Sequence, residues 1–532
     1  MRKYVYIFCF VLLGITGCTD FIDVSPENAT TYTNYFKTQK DAEALLTTLG
    51  HYMRGTWSTD PGNMSVSLMG EIVDEDLSFS YPKDLGFWSA SWLLPYWTIY
   101  QADLILDNAH RFEIPEEELK PYLLQAYFAK GAVYFFLAMN FGEVPITKSS
   151  TSFDKLPQST VSEVLDEAEK WALKAMDLPK YEELVQQTTE PRMKQYGSKG
   201  AAAALLAHLY AWSAGVEGKS ECWEKAEEYC RMIIDGEVGN YRLVADPEEV
   251  CTSVMHRDSE ESIWEIYYGV DDYLLKSLYC VGFPILTTSS ETPDNTWQPS
   301  IYKTTVNRMY PEGDRRRDAY FWETNADSVY LKYVDGEVVA SAERGQDSVI
   351  VAYDNQSIKR AYLYKFRYPF YRYNDWSPEP MFSGMNQNKV IWRLAEIYLL
   401  RAECRARQGK ANAVDDLNTI RRRAYGNDSH AFPCAEDVEN GLAENIQLAI
   451  FREREKELLF EEQRYYDIVR NGMCYLRGED THDYIRKEIS EAYSRLTDQD
   501  ILDGALYLMI SDMCFENNDL LRQNRYWNRR MQ

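Results

Sequence analysis

Long apolar runs are scarce in these 532 residues. Beyond the first eighteen positions no window holds the roughly 18 consecutive apolar residues that a transmembrane helix needs, which excludes a helical membrane body. Histidine is equally sparse: His51, His110, His208, His256, His430 and His482 stand isolated. No HExxH, GxSxG or P-loop pattern occurs, so metal, triad and cofactor chemistry have no support. Gly197-Ser198-Lys199-Gly200 reads as a helix start capped by Ser198 and not as a phosphate loop. The ten cysteines include no CxxC pair. Cys222 and Cys230, eight apart on one expected helix, would lie about 12 Å apart and cannot bridge. Scattered buried thiols are the better reading than zinc or redox sites. Basic residues are in deficit, 57 Lys and Arg against 83 Asp and Glu, for a net charge of -26. That imbalance excludes nucleic acid and anionic membrane surfaces as partners. With so many carboxylates some pairs arise by chance, so no glycosidase pair is assigned.

What is present begins at the N-terminus. Arg2 and Lys3 precede an apolar run from Val5 to Leu13 that ends in Ile15-Thr16-Gly17-Cys18. The run is too short to span a bilayer, and small residues stand directly before a cysteine, so residues 1–17 read as a bacterial lipoprotein signal peptide and Cys18 as the lipidated first residue of the mature chain. The remainder, 45% apolar overall, has material for a large packed core. Forty Tyr and thirteen Trp are the second signal. Aromatic faces suit the C–H faces of sugar rings, and they also fill cores.

Helical spacing recurs along the first half. A helix capped by Thr38 carries Ala42, Leu45, Leu46 and Leu49, and a long loop region follows from Gly55 to Gly86. Helices are expected through Trp92, Tyr96 and Leu106 and over Glu116–Asn140, able to pair as an antiparallel hairpin. More are expected at Thr160–Met176, Ser198–Ala214 and Trp223–Ile234. Ala204, Ala207, Ala211 and Ala214 make a contact face of the kind used by tetratricopeptide-type hairpins, without a strict period. From Gly236 to about Asn388 short, Pro- and Gly-punctuated segments with strand-like alternation take over, including Ser328–Val334, Ser348–Tyr353 and Tyr362–Tyr368. Helices resume at Val390–Gln408, Ala411–Ala424 and Leu442–Gly472. The fold class is therefore mostly α, helical hairpins with a loop-rich, minor-β insertion. Four regions follow: signal peptide 1–17, helical region 18–235, variable region 236–389 and helical region 390–532.

Three stretches resemble the SusD/RagB family, the surface lipoproteins of Bacteroidetes glycan-uptake systems. The first is Phe21-Ile22-Asp23-Val24-Ser25-Pro26 with Tyr35-Phe36 and Asp41-Ala42-Glu43-Ala44. The second is Arg393-Leu394-Ala395-Glu396-Ile397-Tyr398-Leu399-Leu400-Arg401-Ala402-Glu403 with Asp416 to Ala424. The third is Glu453-Arg454 with Glu457-Leu458, Phe460-Glu461, Arg464, Asp467 and Arg470. Glu461, Arg464 and Asp467 lie three apart and so share a helix face, consistent with a structural ion network; exposed pairs of this kind are worth about 0 to 1 kcal/mol each, and these stretches read as scaffold and not as a binding site. The resemblance implies a non-catalytic protein, lipid-anchored in the outer membrane and facing the cell exterior. Such proteins capture a glycan and deliver it to a SusC-like TonB-dependent transporter. Because loops on a rigid scaffold carry most binding sites, the glycan-binding candidates are the loop aromatics Trp57, Tyr81, Trp88, Trp297, Trp322 and Trp376. Asp74, Asp294 and Asn295 join them as hydroxyl partners. A peptide or glycopeptide ligand on the same scaffold, and a surface hydrolase, are the competing readings.

Overall fold

The computed structural model describes residue 32 and residues 35–57, 70–72, 74, 89–185, 193–268, 301–322, 324–334, 337–341, 349–354, 359–361, 363–374, 377–489 and 491–531. Among these residues the chain is mostly helical, and no helix is long and apolar enough to cross a membrane.

Helix starts follow local chemistry. Thr38 opens α1 (Gln39–Thr56) through a capping box with Asp41. After α2 (Leu93–Asp107), a short connection leads into α3 (Glu116–Phe141), whose first turn carries Glu116, Glu117 and Glu118, favourable at the positive end of the helix dipole. Buried Lys130 of α3 reaches Asp103 of α2 at 2.5 Å, tying the expected hairpin together. Thr160 opens α4 (Val161–Ala175) through a second capping box with Glu163. Thr160→Ala leaves the Glu163 amide without its acceptor, and a loss of about 1 kcal/mol is expected in chemical denaturation. Ser198 caps α5 (Lys199–Gly215), in which every residue from Gly200 to Gly215 is buried, and α6 (Cys222–Ile234) follows. A Cβ on Gly131 of α3 would come within 2.9 Å of the Ala172 backbone nitrogen, so this glycine sets how closely α3 and α4 approach.

The insertion contains most of the strands. β1 (Ser89–Ala90) lies before α2, β2 (Ser262–Ile266) follows α6, and α7 (Lys303–Met309) precedes β3 (Ser328–Val334), β4 (Glu337–Ser341) and β5 (Val349–Asp354). The last three form an antiparallel sheet in the order β4-β3-β5. β6 (Pro369–Asn374) and β7 (Ser377–Met385) make a separate antiparallel hairpin. β8 (Lys389–Arg393) pairs antiparallel with β2 and leads directly into α8 (Leu394–Arg407). Then come α9 (Ala413–Tyr425), α10 (Ile446–Glu457) and α11 (Arg464–Leu476), with β9 (Met509–Ile510) returning parallel to β1. Successive helices from α1 to α6 pack on one another. The stack continues through α8 on α6, with α9 and α10 on α8.

Three sequence expectations change. Val390 to Arg393 extend a strand and not the helix, because Val390, Ile391 and Trp392 bury their side chains in the ladder with β2. The strand expected at Tyr362–Tyr368 starts later, at Pro369, while Leu363 makes a single bridge to Phe321. The helix expected over Leu442–Gly472 is two helices broken at 458–463, where Phe460 and Glu462 take left-handed backbone angles of φ 60 and 62°. A remote partner stabilises that break: the amides of both residues donate to the carboxylate of Glu71, at 3.1 and 2.9 Å.

The arginine- and glutamate-rich helices are not solvated. Arg316, Arg393 and Arg454 are among the largest fully buried side chains of the described residues. Glu457 lies 2.8 Å from Arg393, 2.5 Å from Arg423 and 3.4 Å from Arg316. Arg316 also pairs with Asp314 and Glu453, and Arg393 with Glu261 and Glu461. A second cluster joins Arg454 to Asp467 and Arg470 to Glu403 and Asp467. Of the three residues three apart, Glu461 sits in the break before α11 and turns to Lys365 and Arg393, while on α11 Arg464 pairs with Glu455 and Asp467 with Arg454.

Candidate ligand-binding site

Of the nine residues proposed for glycan contact, Tyr81, Trp88, Asp294, Asn295, Trp297 and Trp376 lie outside the described residues, as does the lipidation candidate Cys18. The three that are described have no partner in common. Trp57 turns inward at the end of α1, with its ring 5.4 Å from Phe136 and 4.9 Å from Trp264, and its carbonyl accepts from Lys389 Nζ. It lines a small cavity of about 70 Å³ together with Trp212 and Trp392. Trp322 sets its ring edge-on against Tyr364 at 4.8 Å, and its indole N–H has no acceptor among the described residues. Asp74 is exposed and accepts from the Tyr302 amide at 2.5 Å and the Thr305 hydroxyl at 2.8 Å. It thus holds the start of α7 from 228 residues away in sequence.

The segment bearing Asp74 is clamped to the break between α10 and α11. Gly70 approaches Tyr465 so closely that a Cβ there would fall 2.5 Å from the Tyr465 Cα, and the Gly70 carbonyl accepts from Arg464 Nη1 at 2.6 Å. Burial pushes the neighbouring Glu71 carboxyl up to about 7, against the pull of Arg464 and of the two amides it accepts from.

Beside this segment opens a cleft of about 630 Å³ between Ile72, the α7 residues Thr305 and Met309, and the C-terminal helices. One wall carries a stacked pair, Tyr425 and His430, with ring centres 3.8 Å apart and planes 6° apart. The floor is ionic. Arg421 grips Asp437 at 2.7 and 2.9 Å and Glu453 at 2.9 Å. Arg452 grips Glu488 at 2.6 and 2.7 Å, and His482 Nε2 lies 2.7 Å from the same carboxylate. Although burial disfavours their charge, the surrounding arginines hold Asp437 and Glu453 below the usual carboxylate range. Glu488 is drawn down to about 2 by hydrogen bonds from His482 and Arg452 and the charge of Arg464, against its burial. A glycosidase acid must keep its proton near neutrality. These three carboxylates are arranged the opposite way. The cleft offers hydrogen-bonding edges and a flat aromatic pair to a polar ligand.

Sequence reasoning passed over this floor: Arg421 and Glu453 belong to the family stretches read as scaffold, His482 to the histidines read as isolated, and Asp437, Arg452 and Glu488 were not singled out. The available signal was charge on every face of α10, a pattern that requires solvent or dense ion pairing. Among the described residues no group of three or more His, Cys, Asp or Glu is disposed to hold a metal ion.

A family model described as the SusD family matches residues 218–527. A second, described as starch-binding associating with outer membrane, matches residues 20–211. SusD-like protein P2 of Formosa agariphila is 24% identical over 502 residues, spanning 88% of this chain and 91% of the relative. SusD-like protein P25 of the same organism is 21% identical over 510 residues, spanning 88% and 90%. Among solved structures, a SusD homolog from Bacteroides thetaiotaomicron superposes with a TM-score of 0.67 at 19% identity, covering 93% of this chain and 99% of the other. A protein described as a laminarin binding SusD-like protein superposes with a TM-score of 0.63 at 20% identity, covering 92% and 100%. The two family matches account for nearly the whole chain after its first nineteen residues, and the chain belongs to the SusD family.

Proposed function

We propose that this chain is a glycan-binding lipoprotein, anchored in the outer membrane through Cys18 and facing the exterior. In this role it captures an oligo- or polysaccharide and passes it to a SusC-like TonB-dependent transporter without cleaving it. The observation that carries the reading is the cleft beside Asp74, whose floor carboxylates Asp437, Glu453 and Glu488 are held ionised: such groups accept hydrogen bonds from a hydroxyl-rich ligand and are not poised as general acids. Membership in the SusD family and the fold shared with a laminarin-binding relative support the same ligand class. In this reading the loop aromatics Tyr81, Trp88, Trp297, Trp322 and Trp376, with Asp294 and Asn295, also contact the glycan.

Native affinity electrophoresis of the soluble body (Thr19 to Gln532) through laminarin, starch and other polysaccharides, with chromatographic detection of products, tests it. Retardation by at least one glycan without released oligosaccharides is expected, weakened about tenfold by Trp322→Ala or Trp297→Ala if each ring stacks on a sugar. Released oligosaccharides would overturn the non-enzymatic reading. No retardation across the panel would shift the ligand class to peptides.

A further inference from the structure

The outward face of α2 carries Leu93, Trp97, Tyr100 and Leu104 at spacings of four, three and four, the step that aligns residues along one side of a helix. Leu93, Trp97 and Tyr100 are 42%, 43% and 44% exposed. Tyr52 of α1 lies beside this row with its ring 5.4 Å from Trp97, and His51 continues it 5.6 Å from Tyr52. The two acidic residues of α2 are committed elsewhere, Asp103 to Lys130 and Asp107 to the amide and hydroxyl of Ser150. The row is therefore uncharged on a protein of net charge -26. The Trp97 indole N–H and Tyr100 hydroxyl make no hydrogen bond among the described residues and both side chains are exposed, so both polar ends are available to a ligand.

We propose that this aromatic shelf is a second glycan-binding surface, separate from the loop cleft, that takes a neutral polysaccharide chain laid along α2. The inference rests on the glycan reading above. Residues three apart on a helix set their Cβ atoms about 5–6 Å apart, a step comparable to one pyranose unit, so consecutive sugars can each lay a C–H face on a ring. Ring hydroxyls then meet the Trp97 N–H and the Tyr100 and Tyr52 hydroxyls. A neutral chain is favoured because the acidic body repels polyanions. The amphipathic Trp and Tyr match hydroxylated sugars better than the purely aliphatic side chains of a packed protein core. Two sites on one protein raise the apparent affinity for a polymer able to reach both, and leave a short oligosaccharide unaffected.

The test compares wild type with the Trp97→Ala/Tyr100→Ala double variant and with Trp97→Phe. Laminarin and amylopectin serve as polymer probes, with the short oligosaccharides derived from each. Both side chains are exposed, and unchanged thermal unfolding confirms intact variants. The double variant is expected to bind the polymer about tenfold more weakly and the oligosaccharide as wild type does, while Trp97→Phe keeps most polymer affinity. Polymer binding unchanged in the double variant would overturn the shelf and leave the glycan reading standing. Equal loss of polymer and oligosaccharide binding would also overturn it, since the rings would then belong to the single site. A wild-type chain that binds neither polymer nor oligosaccharide would overturn the shelf and the glycan reading together.

Discussion

Glu457→Ala is expected to destabilise the folded chain by about 3–5 kcal/mol, read as a fall in the midpoint of chemical denaturation. The size follows from what the substitution leaves behind. Glu457 faces Arg393, Arg423 and Arg316, and all four side chains are buried. Removing the carboxylate strands guanidinium charge in a low-dielectric interior, whereas replacing a whole buried network by matched apolar residues can cost nothing. The network is thus better understood as registering than as stabilising. It joins the insertion through Asp314 and Arg316, β8 through Arg393, α9 through Arg423 and α10 through Glu457. A mispaired arrangement of these elements would leave buried charge uncompensated.

The same site sets a pH dependence. Burial pushes the Glu457 carboxyl upward, but Arg423, Arg393 and Arg316 outweigh it and hold the group at about 2, below its ordinary value of 4.5. Ionised Glu457 therefore contributes stability that is complete above pH 4.5 and is lost as pH falls from there through about 2. Arginine partners likewise hold Glu453 and Glu461 low. Acid unfolding of the wild type should be steep in this window and shallower in Glu457→Ala; equal slopes would show that other carboxylates govern it.

The helices with local signals were legible, because a cap and an apolar stripe are written within a few residues: Thr38 and Ser198, read as caps, and Thr160, read as a helix start, all stand in the structure where the sequence puts them. The break at 458–463 was not, because its left-handed residues answer to Glu71, 389 residues from Phe460. Charge run was read as solvent exposure for a related reason. Arg and Glu at core-facing positions look the same on paper whether their partners are water or an arginine from another segment, and only the tertiary pairing of Arg316, Arg393 and Arg423 decides. The candidate site divides similarly. Asp74, read as a polar loop residue, holds the start of α7 through Tyr302 and Thr305, while Trp57, read as a loop aromatic, packs into a ring cluster. The stacked Tyr425 and His430 come from either side of a turn, and nothing in their spacing announces the cleft they line.

The ring cluster around Trp57 yields the other large effect. Trp264→Ala is expected to cost about 3–5 kcal/mol, as for other large buried aromatics cut back to alanine. Trp264 is fully buried on β2, with Trp57, Phe128 and Trp392 at centroid distances of 4.9, 5.2 and 5.1 Å. Its indole N–H also donates to the Gln195 carbonyl at 3.0 Å, an acceptor the substitution leaves unpaired. The three rings come from the end of α1, from α3 and from β8, so one side chain joins the first helices to the C-terminal half. Trp264→Phe keeps ring contacts but loses the hydrogen bond, and should fall between wild type and alanine. Near-ultraviolet circular dichroism adds a structural readout, since Trp57 and Trp392 lose the neighbour that fixes their orientation. A loss below about 1 kcal/mol in the alanine variant would mean that the surrounding rings collapse into the space, and that the two halves are held together chiefly by the buried ion network.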